Sequence, residues 1–188
     1  MKSKLVFLAF FTIASLMALE GSPKVASQPP APPDRFLIVT ASALTGKDYG
    51  QYVLNQGYNL IVGWRWNKGF RAGLGSGFEK FDEYVLPFFA FTAIPLGGSI
   101  NSPFLYAKAG YGIGFASAEA GWDNPGFLGG ILLGGGANVT LFSWNRLALR
   151  GGLGYRFQKI SGKIQSSWSL RRILEYGRMD FHLALSFW

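Results

Sequence analysis

The stretch Met179-Asp180-Phe181-His182-Leu183-Ala184-Leu185-Ser186-Phe187-Trp188 alternates apolar and polar residues with a period of two. Successive side chains of a strand point to opposite faces, so Met179, Phe181, Leu183, Leu185 and Phe187 share one face and Asp180, His182, Ala184 and Ser186 share the other. The same pattern recurs upstream. Tyr58, Leu60, Val62, Trp64 and Trp66 oppose Asn59, Ile61, Gly63, Arg65 and Asn67, and Phe70, Ala72, Leu74 and Phe78 oppose Arg71, Gly73, Gly75, Gly77 and Glu79. The chain carries 26 Gly, 17 Phe, 8 Tyr and 6 Trp, and its mean hydropathy is positive. Yet past residue 19 it has no uninterrupted apolar run long enough for a membrane helix. Its hydrophobicity is therefore borne by strands. Strands can bury an apolar outer face in lipid only if the sheet closes, because lipid offers no partner to an unpaired backbone edge.

Alternation marks eight strands, at about Phe36 to Leu44, Tyr58 to Trp66, Phe70 to Phe78, Tyr84 to Ile94, Phe104 to Phe115, Phe127 to Leu141, Arg146 to Gln158 and Tyr176 to Phe187. The fold class expected is all-β, an eight-stranded antiparallel transmembrane up-and-down β-barrel spanning residues 35–188. The fourth strand carries the faintest signal, since Pro87 and Pro95 interrupt it and both its faces are apolar. Ahead of the barrel, Lys2 and Lys4 precede an uncharged, mostly apolar stretch from Leu5 to Leu19, the layout of a secretory signal peptide. Small residues suited to cleavage follow at Ala18 and at Val25-Ala26-Ser27, and residues 1–27 are assigned to the signal. Residues 28–34, Gln-Pro-Pro-Ala-Pro-Pro-Asp, form a short leader that proline keeps out of helix and inner strand. The absence of cysteine leaves no disulfide and no lipoprotein anchor.

The alternating C-terminal strand, with Phe187 on the outward parity and Trp188 after it, resembles the C-terminal signal of bacterial outer-membrane β-barrels. About Arg35 to Trp188 is similar to the small barrels typified by the transmembrane domain of outer membrane protein A and to porin-like families. The resemblance implies a Gram-negative outer membrane, recognition of the last strand by the barrel assembly machinery, and lipid and lipopolysaccharide as surroundings. Such barrels pair short periplasmic turns with longer external loops. Asn67-Lys68-Gly69, Gly97 to Pro103 and Ser143-Trp144-Asn145 are short, whereas Thr45 to Gly57, Ala116 to Gly126 and Lys159 to Glu175 are long, which puts both termini in the periplasm. The connection around Lys80 to Glu83 is a brief exception on the external side. Aromatic residues fall where hydrocarbon meets headgroups. Trp64, Trp66, Phe70, Phe142, Trp144, Phe187 and Trp188 mark the periplasmic rim, and Tyr58, Phe78, Tyr84, Phe115, Phe127, Phe157 and Tyr176 the other. Trp122 and Trp168 stand in external loops.

On the inner face, glycine recurs at every second position in Gly73-Leu-Gly75-Ser-Gly77, Gly110-Tyr-Gly112-Ile-Gly114 and Gly152-Leu-Gly154, and again at Gly134 and Gly136. No helix pattern or basic residue follows, as a phosphate-binding loop requires. In an eight-stranded barrel the interior is just wide enough for side chains, so these glycines make room for large neighbours. By parity the neighbours are charged: Arg65, Arg71, Lys108, Arg150, Arg156 and Arg178 against Glu79 and Asp180, with His182 beside them. Matching faces across Asn67-Lys68-Gly69 sets Arg65 opposite Arg71, a repulsive pair that Asp34 is placed to bridge, and Arg156 is placed to meet Asp180. Two readings of the lumen follow: a salt-bridged plug, or a hydrated passage that favours anions. The formal charge of +8 falls to about +6 once Lys2, Lys4, Lys24 and Glu20 leave with the signal.

Catalysis finds little support. His182 shares a face with Asp180 and Ser186, but four residues of extended strand separate His182 from Ser186 by about 13 Å, beyond hydrogen-bond reach. Outer-membrane lipid A deacylases carry a His-x-Ser pattern that is absent here, so a lipid A-modifying activity is the weaker alternative and the chain is not read as an enzyme. With no Cys and one His, no metal cluster has a recognisable spacing, and no cofactor is expected. The last external loop places Lys159, Lys163, Trp168, Arg171 and Arg172 where lipopolysaccharide phosphates lie, with charge-assisted hydrogen bonds as the means of contact. Nucleic-acid binding is not expected, since the charge is not gathered on a soluble face. A lipocalin-like soluble barrel would need a polar exterior. The expected role is therefore that of a monomeric envelope barrel with surface loops, and a narrow anion-favouring pore is the alternative.

Overall fold

A computed structural model of the protein describes residues 33–48, 51–66, 69–81, 84–98, 102–115, 128–164 and 170–188. Eight strands run in chain order: β1 (Asp34–Asp48), β2 (Gln51–Arg65), β3 (Arg71–Lys80), β4 (Tyr84–Pro95), β5 (Phe104–Phe115), β6 (Leu128–Trp144), β7 (Leu147–Ile164) and β8 (Leu170–Phe187). Each pairs antiparallel with its neighbours, and β1 pairs with β8 from Leu37↔Phe187 to Thr45↔Met179, which closes the barrel. Closure removes the unpaired edge that lipid would penalise. Among the described residues there is no helix. The signal and all but the last two leader positions lie outside the described residues, and β1 takes in Asp34, one residue earlier than the expected barrel boundary.

Alternation settles which side chains face outward and which face the lumen. Along β2 the pattern of exposed and buried residues is strict from Gly57 to Trp64, with Tyr58, Leu60, Val62 and Trp64 turned outward and Asn59 and Ile61 inward. On β8, Phe181, Leu183, Leu185 and Phe187 are exposed while Asp180, His182, Ala184 and Ser186 are buried. Even β4 alternates, because its inner residues Val85, Pro87, Phe89, Phe91 and Ala93 supply an apolar wall to the lumen and Pro87 still holds its register place opposite Gly112.

Three expectations require correction. The stretches read as long loops at Thr45 to Gly57 and Lys159 to Glu175 are largely strand: β1 and β2 stay paired out to Asp48↔Gln51, and β7 and β8 out to Ile164↔Leu170. These ends read as loops because their outward apolar residues, such as Tyr52, Leu54 and Ile173, are too sparse to mark an alternation, yet cross-strand hydrogen bonds continue whatever the side chains face. Ala116 to Gly126 lies outside the described residues. Tyr176 does not join the outer aromatic rim; it is 2% exposed and points into the lumen. Trp188 likewise turns towards the lumen mouth, with its ring 5.6 Å from Arg65 Cζ and 5.7 Å from Arg150 Cζ.

The turns at the end bearing the C-terminus are tight. Gly69 adopts φ +79° and its N–H donates to Trp66 O at 2.7 Å, which brings the Trp66 and Phe70 rings to 5.5 Å. Asn145 takes φ +49°, a left-handed conformation that asparagine tolerates better than most residues. Just before it, a bulge between Thr140 and Phe142 shifts the β6 register. Leu132, Gly134 and Asn138 face inward on even numbers, but after the bulge the even-numbered Phe142 and Trp144 are 61% and 66% exposed.

Candidate functional site

The polar interior of the barrel is the site, and its contents change from one end to the other. At the end bearing the C-terminus, Arg65 and Arg71 are register partners, as the parity of the second hairpin requires. Asp34 Oδ2 accepts from Arg65 Nη2 at 2.7 Å, but it is not shared with Arg71 as expected. The Arg71 guanidinium instead lies over the Phe104 ring at 4.8 Å, and Arg150 covers the same ring at 4.9 Å. Phe104 and Trp188 thus give the three guanidinium groups cation–π contacts at this end of the lumen.

At mid-barrel, His182 spans two partners, with Nδ1 3.2 Å from Asp180 Oδ1 and Nε2 3.0 Å from Asn138 Oδ1. The Tyr106 ring meets the imidazole edge-on at a centroid distance of 5.5 Å. Space for this group comes from glycine: a Cβ at Gly152 would run into His182 and Asn138, and one at Gly154 would meet the Tyr106 hydroxyl. The Lys108 ammonium sits 5.4 Å from the Phe89 ring and 5.3 Å from the Tyr106 ring.

Towards the other end, Arg156 pairs with Glu79, not with Asp180 as expected, and both members are buried. Register explains the change. Across β7 and β8, Asp180 stands opposite Gly154 and is engaged by His182, while Arg156 reaches over the lumen to β3. Gln158 Nε2 lies within donating distance of the carbonyls of Gly130, Ile131 and Lys159, at 3.2, 3.3 and 3.1 Å. Arg178 donates through Nε to Asn55 Oδ1 at 3.3 Å and through Nη1 to Lys47 O at 3.2 Å, tying β8 to the extended ends of β1 and β2. Above these groups Leu44, Phe81, Val85, Ile160 and Tyr176 form an apolar cluster, with the Phe81 and Tyr176 rings stacked at 4.8 Å. Between the arginine-lined end and this cluster lies a cavity whose free space is about 10 Å³, on the scale of one water molecule.

Comparison with known proteins agrees with this architecture. The crystal structure of Neisserial surface protein A superposes with a TM-score of 0.53 at 11% identity, covering 81% of this chain and 96% of that one. The solid-state NMR structure of outer membrane protein AlkL in lipid bilayers matches with a TM-score of 0.46 at 9% identity, covering 90% and 96%, and the crystal structure of OprG from Pseudomonas aeruginosa with 0.42 at 10%, covering 81% and 95%. The chain has the fold of a small eight-stranded outer-membrane β-barrel. No protein-family model and no curated protein matches the sequence. At these identities the likeness concerns the outer-membrane barrel fold alone.

The remaining site residues divide by position. Lys159 is not a loop cation: it stands on β7, and its Nζ pairs with Glu175 Oε1 of β8 at 2.6 Å on the exposed surface. Lys163 is the register partner of Arg171, and Gly162 that of Arg172, while Trp168 lies outside the described residues. Among the described residues Ser186 Oγ has no hydrogen-bond partner, so it makes no bond to His182. Sequence reading passed over Tyr106, Asn138 and Gln158, all on the inward parity of recognised strands and so open to the same argument that found the charges. It also passed over Phe81, which follows the last residue of β3 and has no parity to reveal it.

Proposed function

We propose that this protein is an integral outer-membrane barrel, with both termini in the periplasm, whose lumen is closed by its own side chains. Its role is structural or surface-exposed within the envelope, without catalysis or transport. The observation that carries this reading is the filled interior. The Arg156–Glu79 pair, Gln158 and the Leu44, Phe81, Val85, Ile160, Tyr176 cluster stand in succession across the lumen, and the cavity beneath them has room for about one water. The exposed apolar residues of β2 and β8 suit a lipid surround. The basic positions near the last connection, Lys163, Arg171 and Arg172, suit lipopolysaccharide phosphates, and the C-terminal strand suits the barrel assembly machinery.

A narrow anion-favouring pore is the second reading, favoured by the Arg65, Arg71 and Arg150 group at one mouth. Single-channel recording of the refolded protein in a planar bilayer under a salt gradient separates the two. Silence from protein verified as folded is the expected result. Reproducible conductance steps with anion selectivity would overturn the closed lumen and assign those three arginines to selectivity.

A further inference from the structure

At the end away from the C-terminus two pairs of strands outrun their neighbours. The β1–β8 ladder ends at Thr45↔Met179, yet β1 and β2 stay paired to Asp48↔Gln51, and β7 and β8 to Ile164↔Leu170. The β2–β3 ladder stops at Gln56↔Lys80. There the chain leaves the sheet, because Phe81 turns into the lumen and stacks on Tyr176. Among the described residues no strand lies beside Gln51 to Asn55 on the β3 side. That edge, five residues of β2, spans about 17 Å.

An unpaired strand edge is a template for a further strand, and proteins ordinarily blunt it with charge, proline or a bulge. The projecting part of β8 is charged, with Arg171, Arg172, Glu175 and Arg178 along it. The β2 edge has no such protection. Gln-Tyr-Val-Leu-Asn holds no charge and no proline, and its register with β1 is unbroken. On its outer face stand Tyr52, 77% exposed, and Leu54, 72% exposed, the two most exposed large apolar side chains among the described residues. Both lie beyond the strictly alternating stretch of β2 that suits lipid, so that belt does not account for them.

We propose that the β2 edge from Gln51 to Asn55 docks an extended segment of a partner polypeptide, which adds a strand in the place that β3 vacates. Backbone groups of β2 supply the hydrogen bonds, and Tyr52 and Leu54 pair with apolar side chains at every second position of the incoming strand. A second copy of this chain fits poorly. Two barrels side by side in one membrane present this edge with the same up-and-down sense, so the two edges could pair only in parallel. A five-residue strand also covers far less than the roughly 800 Å² per partner that a stable dimer buries. Such a site deepens the surface-exposed role given above, and it rests on that reading's placement of this end outside the cell.

The test is selection of a random seven-residue peptide library on the parent in lipid nanodiscs, with the Tyr52→Lys, Leu54→Lys double variant as counter-selection. The probe is then the enriched peptide, synthesised with a fluorophore and titrated by anisotropy. Expected are sequences with apolar residues at alternate positions and no proline. Affinity should fall at least about tenfold on the double variant, and as far when the alternate amides of one peptide edge are N-methylated. Methylating the other edge should change nothing, because one edge alone faces β2; this arm needs no variant to fold. Peptides indifferent to methylation on both edges, or no enrichment over the double variant, overturn strand addition. Since the chain has no cysteine, Tyr52→Cys labelled on intact cells with a membrane-impermeant maleimide checks the placement separately. Labelled cells with no enriched peptide remove the docking site alone, whereas unlabelled cells with folded barrel in their membranes remove the external placement and the site with it.

Discussion

Glu79 is 0% exposed and Arg156 2%, and each owes its tolerable burial to the other. Removing one member leaves an uncompensated charge, which costs more than the pair contributes. Glu79→Gln is expected to destabilise the barrel by about 3–5 kcal/mol, read as a lower urea midpoint in detergent. Replacing both residues by Leu should recover most of that loss; a double variant as unstable as the single would show that the pair is not the source. The pair itself could not be read from the sequence. Parity told that both residues face inward, but Arg156 had Asp180 as its nearest inward acid along the last hairpin, and only the curvature of the closed sheet brings β3 within its reach. His182 is a parallel case: its parity was legible, while its bond to Asn138 of β6 depends on Gly152, on the intervening β7, leaving the space open.

Among the elements, β6 shows how one residue sets the orientation of a strand end. The bulge at Leu141 lets the inward residues keep even numbers up to Asn138 and then turns the even-numbered Phe142 and Trp144 outward. Were Leu141 paired in the ladder instead, unbroken alternation would carry those two aromatic side chains into the lumen. Deleting Leu141 removes the bulge and sets Phe142 directly after the inward Thr140, on the outward parity it already has, so the deletion is expected to fold with a yield close to the parent's. The heat-dependent mobility shift on a gel measures it. Leu141→Ala keeps the bulge and should fold nearly as well as the parent, and a deletion that folded far worse than Leu141→Ala would refute this role. The lengths of β1, β2, β7 and β8 were misread from sequence for a related reason: alternation reports a two-sided environment, and strand ends that leave the lipid have polar surroundings on the outside.

For the whole molecule, the apolar outer surface defines where the barrel meets lipid. Leu60 and Leu54 both lie on β2 and are 50% and 72% exposed, but Leu60 is within the strictly alternating stretch and Leu54 beyond it, towards the extended end. In a lipid bilayer, Leu60→Arg is expected to cost about 2–4 kcal/mol and Leu54→Arg about 0–1 kcal/mol, the depth dependence of a charge on a lipid-facing strand. Unfolding titrations in phospholipid vesicles supply both values. Equal costs at the two positions would show that this belt does not mark the membrane.

The sequence by itself determined the strand count, the face on which most strand residues lie and the charged character of the interior, because alternation follows from local backbone geometry and needs no knowledge of neighbours. Its register across the second hairpin, with Arg65 opposite Arg71, was legible for the same reason, since a tight turn transmits parity directly. Only the tertiary structure decided that Arg156 meets Glu79, that Phe81 and Tyr176 stack over the lumen, that Trp188 lies against Arg65 and Arg150, and that the extended strand ends stay paired. Each of these joins residues distant in the chain, and their meeting depends on how a closed, curved sheet brings its far walls together.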